Sequence, residues 1–171
     1  GKPEQYVAVW PTVCRVGKTF SLKLKGEDKW VNPSDQCDTT LRLKAFAQVE
    51  NLPETVTFKS GDFAIEIPGL SVKKPGDIAL ALLHEDGSHA VDANPLRIVT
   101  EAELIPYWGD LHGQSEETVG TNSVEDYFRF ARDVSLVDFT GHQGNDFQIT
   151  PEFWEWIGRC AKDFDDPGRF V

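Results

Sequence analysis

Four polar residues in the stretch Tyr107-Trp108-Gly109-Asp110-Leu111-His112-Gly113-Gln114-Ser115-Glu116-Glu117 have types and spacing that could do chemistry. Asp110, His112, Gln114 and Glu116 alternate along it. In a β-strand every second side chain points the same way, so the four would share one face. A carboxylate, an imidazole and an amide converging at a strand end suit metal ligation or acid–base work. The same residues also suit a satisfied histidine beside carboxylates that cap the next helix. Ile105, Tyr107, Trp108 and Leu111 read as the end of the buried strand that would carry them. A second polar cluster, Gly141-His142-Gln143-Gly144-Asn145-Asp146, follows another apolar run, Leu136 to Thr140. His142 and Asp146 are its candidates.

The elements around both clusters have a recognisable order. Ser123 with Asp126 three residues later is a capping-box signal. Val124, Tyr127, Phe128 and Ala131 then fall on one helical face, and Arg132-Asp133 close the helix. Thr150-Pro151 is a second helix start, with Thr150 as N-cap and Pro151 at the first helical position. Phe153, Ile157, Cys160, Ala161 and Phe164 give that helix an apolar stripe. Arg169-Phe170-Val171 reads as the entry to a further strand, with an unpaired edge. Strand, helix, strand, helix, strand is the arithmetic of a parallel sheet.

Before this lies a different pattern. Phe20, Leu22 and Leu24 alternate with Ser21, Lys23 and Lys25. Leu41, Leu43, Ala45, Ala47 and Val49 alternate with polar neighbours, as do Phe63, Ile65 and Ile67. Asp86-Gly87 sits between two strand patterns, a hairpin signal flanked by His84 and His89. Short strands at this spacing predict an antiparallel β-sandwich over residues 1–104, followed by α/β units over 105–171.

Composition narrows the function classes. The chain has 171 residues, 40% of them hydrophobic, which supports a true core. Its net charge of -11 repels phosphate backbones and acidic membranes. Neither nucleic acid nor membrane is therefore an expected partner. Cys14, Cys37 and Cys160 have no framework spacing and no CxxC pair. Reduced thiols and a cytoplasmic location are the simplest reading, since no signal-peptide pattern is visible.

The Tyr107-to-His112 stretch, Val124 to Arg132, and Val137-Asp138-Phe139-Thr140-Gly141-His142 together resemble domain-of-unknown-function family 3604. That family looks related to the PHP (polymerase and histidinol phosphatase) metal-dependent phosphoesterases. The resemblance implies the start of a truncated (β/α) barrel, with a divalent metal (zinc, manganese, iron or magnesium) bound weakly or not at all by this chain, and a small anionic substrate. It implies His112, Gln114 and His142 as metal ligands, with Gln114 standing where the family has a second histidine. Asp110 and Asp146 are then the candidates for catalytic roles, and the chain is expected to be an inactive N-terminal part of a hydrolase. The alternative is a non-catalytic β-sandwich module for binding or dimerisation, with association through an exposed sheet edge.

Overall fold

The computed structural model describes residues 1–145 and 147–171. The chain is mostly β-sheet with few helices, and it divides into two units, Gly1–Pro106 and Tyr107–Val171.

The first unit contains ten strands: β1 (Gln5–Val9), β2 (Val13–Arg15), β3 (Phe20–Glu27), β4 (Thr39–Ala45), β5 (Thr55–Phe58), β6 (Ala64–Leu70), β7 (Gly76–Ile78), β8 (Leu80–Leu83), β9 (His89–Asp92) and β10 (Leu96–Val99). They form three sheets, ordered β1-β3-β6, β5-β4-β8-β9 and β2-β10-β7. Every pairing is antiparallel except that of β10 with β2. The alternation expected along β3 is present: Phe20, Leu22 and Leu24 are buried, while Ser21, Lys23 and Lys25 are only partly covered. Leu22, Leu24, Leu41, Phe58, Leu70, Leu80, Leu82 and Leu96 meet in one core, so the sheets close over shared apolar surface as a sandwich requires. β4 ends at Ala45, short of the Val49 to which the alternation runs in sequence. Asp86-Gly87 does turn the chain between β8 and β9, where His84 N–H donates to Ser88 O at 2.9 Å.

One corner of this unit is strained. Residues 28–32 make a tight reversal after β3. Val31 N–H donates to Asp28 O at 2.9 Å, and Asp28 N–H donates to Asn32 O at 2.9 Å. Val31 has φ 66°, a left-handed conformation that β-branched residues rarely adopt. The Asp28 carboxylate holds the turn, accepting N–H bonds from Trp30 at 2.9 Å and Asn32 at 3.0 Å.

The second unit is built as β11 (Gly109–Gly113), α1 (Val124–Phe130), a π-helical turn (Ala131–Ser135), β12 (Phe139–His142) and α2 (Pro151–Phe164). β11 and β12 are parallel. The capping signals read from sequence are present. Ser123 Oγ accepts from Asp126 N–H at 3.1 Å, and Thr150 Oγ1 accepts from Phe153 N–H at 3.2 Å. α1 does not stop at Arg132-Asp133 but runs through the π turn to Leu136, whose left-handed φ of 69° ends it. Val124, Phe128, Ala131, Ile157, Cys160 and Phe170 form this unit's own buried cluster. Among the described residues, no helix is long and apolar enough to cross a membrane.

Candidate functional site

The C-terminal ends of β11 and β12 bring the two polar clusters together, as parallel pairing requires. Gly113 is paired with His142. A β-carbon on Gly113 would overlap the Tyr127 ring, so only glycine lets α1 lie this close to the strand. Tyr127 Oη donates its one proton to Thr140 Oγ1, with Gly141 O a longer secondary acceptor at 3.3 Å. Thr140 Oγ1 in turn reaches Asp110 O at 2.8 Å. Helix and sheet are thus pinned by one phenol and one threonine hydroxyl.

His142 is half-buried, in edge contact with the rings of Tyr127 and Phe153. Its Nε2 lies 2.9 Å from Ser115 Oγ, and that hydroxyl is 2.6 Å from Glu117 Oε2. A hydroxyl has one proton, and the carboxylate can only accept it. Ser115 therefore donates to Glu117, and His142 Nε2–H donates to Ser115. This assignment leaves Nδ1 with a lone pair, buried and without a hydrogen-bond partner among the described residues. Burial pushes the His142 pKa below its ordinary value, against an opposing pull from the Glu117 charge. The imidazole is consequently kept neutral by its apolar surroundings. Ser115 is fully buried, and its carbonyl accepts from Thr118 N–H and Gly120 N–H, each at 2.9 Å.

The other expected site residues lie differently. A register shift between Asp110 and Gly113 breaks the strand alternation, and β11 ends at Gly113. The alternation on which a shared face for Asp110, His112 and Gln114 was expected is thus interrupted: a bulge places two residues where alternation assumes one. Asp110 Oδ1 accepts the His112 backbone N–H at 2.8 Å, a local turn contact. His112 is exposed, and among the described residues no hydrogen bond or ion pair engages its imidazole. Gln114 is half-buried and accepts from Asn145 Nδ2 at 3.4 Å. Asp146 lies outside the described residues. Tyr107, Trp108 and Leu111, expected in a buried strand, are exposed. Ser115, Glu117, Tyr127 and Thr140 carry the observed network, yet sequence reasoning assigned none of them to it. The close spacing of Gly113, Ser115 and Gly120 was the available signal for a tight loop there.

Among the described residues no group of three or more His, Cys, Asp or Glu side chains converges. His142 Nε2 is committed to Ser115, and Gln114 faces Asn145.

Comparison with known proteins corrects the family resemblance. No family model matches the chain. It is 26% identical over 165 residues to an uncharacterized protein of Chlamydia muridarum and 25% identical over 165 residues to one of Chlamydia trachomatis. Each match covers 94% of this chain but only 26% of the relative, so the chain spans about a quarter of the length of the curated relatives it matches. Among solved structures, the D00-D0 domain of intimin has a TM-score of 0.41 at 14% identity, over 58% of this chain and 50% of that one. A CARDB domain from Pyrococcus furiosus has a TM-score of 0.35 at 13% identity, over 59% of this chain and 100% of that one. Likenesses this low carry no argument about function. The chlamydial relatives are uncharacterized and lend the PHP resemblance no support, and no barrel is present among the described residues. The readings as a PHP relative, a hydrolase and a metal-binding protein are withdrawn, since no family model matches and no ligand cluster forms among the described residues.

Proposed function

We propose that the chain is a non-catalytic module: a β-sandwich with an appended α/β unit, working by association within a longer polypeptide. The observation that supports this reading is how the polar side chains around His142 are used. Ser115 is committed to Glu117 and His142, Tyr127 to Thr140, and Asp110 to the backbone N–H of His112. A general base or nucleophile must reach a substrate proton or carbonyl, and these groups reach one another. Large apolar side chains are what the unit offers to its surroundings, with Tyr107, Trp108 and Leu111 exposed in sequence. Exposed aromatic and aliphatic side chains in a cluster mark association surfaces.

The test pairs turnover with stability. The chain is assayed on a generic phosphomonoester, phosphodiester and carboxylic ester, with and without added Mn2+, Zn2+ or Mg2+. Ser115→Ala and His142→Gln are measured beside it. The expected result is no turnover above buffer in any sample, with both substitutions lowering the stability of residues 107–171. Turnover that His142→Gln abolishes while leaving stability unchanged would overturn the reading.

A further inference from the structure

Helix α2 buries one face and leaves the other bare. Ile157 and Cys160 belong to the core of the α/β unit, with Phe153, Trp156 and Phe164 packed against it. The bare face carries a groove of about 380 Å³ lined by Trp154, Glu155, Gly158, Arg159 and Lys162. Trp154 is 64% exposed there, on the side of an amphipathic helix that is ordinarily polar. Gly158 is the floor of the groove. Glycine is the poorest helix former after proline, because it loses the most backbone freedom on folding. Among the described residues nothing lies within 4 Å of where a Gly158 β-carbon would stand. Alanine would therefore fit and favour the helix, so packing inside this unit does not call for glycine. A bare glycine does let a second helix come close, since the side chains at the contact set the distance between helix axes.

We propose that this groove pairs with the same groove of a second copy of the chain, the two α2 helices crossing antiparallel at Gly158. Its residues are arranged for that. Trp154 and Lys162 stand four residues to either side of the glycine, each about 6 Å from it along the axis. A two-fold axis through Gly158 makes the contact isologous, with one patch serving both copies. Trp154 of each copy then meets the partner's Lys162, an ammonium on an aromatic face. Glu155 comes within reach of the partner's Arg159 and Lys162. Among the described residues no ion pair engages Glu155 or Lys162, and the Arg159 guanidinium lies 5.0 Å over the Trp156 ring. Charge complementarity selects a second copy as the occupant. Two chains of net charge -11 repel one another, so copies must meet where both signs are present. This groove sets one carboxylate beside two cations, in an order that complements itself when reversed. The inference deepens the association reading, and rests on it, by naming the partner of one surface.

The experiment is sedimentation equilibrium of the 171-residue chain from about 1 µM to about 1 mM. A monomer–dimer equilibrium is expected within that range. Gly158→Leu fills the floor of the groove, while Glu155→Lys and Lys162→Glu each set like charges against one another across the axis. Each should weaken dimerisation by about tenfold or more. All three positions are exposed, so the circular dichroism of each variant should match the parent. An equimolar mixture of Glu155→Lys and Lys162→Glu should associate more tightly than either alone, because each copy then offers the other the opposite charge. A monomer at every concentration overturns the inference. So does a dimer that none of the three substitutions weakens, or a mixture that associates no better than its components. A monomer leaves the non-catalytic reading intact, whereas turnover in the enzymatic assay overturns that reading without changing the sedimentation result, so the two failures are told apart.

Discussion

Gly113→Ala probes the device that holds the α/β unit together. The added β-carbon would fall on the Tyr127 ring, with the phenolic carbon and oxygen both inside contact distance. Tyr127 cannot swing away freely, because its hydroxyl is bonded to Thr140 and Gly141 and its ring packs on Phe128 and His142. Overpacking of this kind costs about 1–3 kcal/mol. Breaking the hydroxyl's bonds adds about 0.5–1.5 kcal/mol for each one lost. The expected destabilisation is about 3 kcal/mol, roughly a hundredfold in the local opening equilibrium. Whole-chain melting would blur two units into one transition, so native-state hydrogen exchange is the suitable assay. Amides of β12 and α1 should lose about a hundredfold in protection while those of β3 and β8 keep theirs. A double-mutant cycle isolates the cause. In a Tyr127→Ala background the clash is gone, and Gly113→Ala should cost about 2 kcal/mol less than in the parent. Unchanged protection in Gly113→Ala, or a cycle with no coupling, would refute the account of how α1 meets the sheet.

Three further outcomes follow from particular residues. The folded pKa of His142 lies below its ordinary value of 6.5, so the stability this neutral group contributes is fully present above pH 6.5 and is lost as pH falls through the folded pKa; exchange of β12 amides across that range should show the loss, and His142→Gln should flatten it. Val31 is 62% exposed with φ 66°, so Val31→Asn should stabilise the sandwich by about 0.5–1 kcal/mol by relieving a left-handed β-branched residue, read by urea denaturation. Leu82 is fully buried in the sandwich core, so Leu82→Ala should lower the unfolding free energy of that unit by about 2–4 kcal/mol in the same assay.

The sequence was most informative where a local rule met no competing contact. Alternation along β3 and the caps Ser123 and Thr150 needed only period and side-chain chemistry, and each is present. Alternation misled at β11. A bulge between Asp110 and Gly113 is a tertiary feature, set by pairing with β12, and no residue type in the stretch announces it. Trp108 and Leu111 read as buried because apolar residues in strands usually are, but burial depends on what covers the strand. Tyr127 belonged to a helical apolar stripe in sequence, and its hydroxyl's role emerged only from its approach to Gly113. The family resemblance rested on residue order around Asp110, His112 and His142, and residue order does not bring ligands into one place. Val31 was passed over because nothing in the Lys29-Trp30-Val31 run demands a left-handed residue. That demand comes from the turn's own hydrogen bonds.

Nitrogen-15 NMR of the His142 imidazole, recorded with and without stoichiometric Zn2+, tests most directly that this polar cluster holds the fold together. The account predicts a neutral ring protonated at Nε2, with Nδ1 bare and both signals unmoved by the metal. A ring protonated at Nδ1, or signals that shift on adding one equivalent of Zn2+, would contradict it.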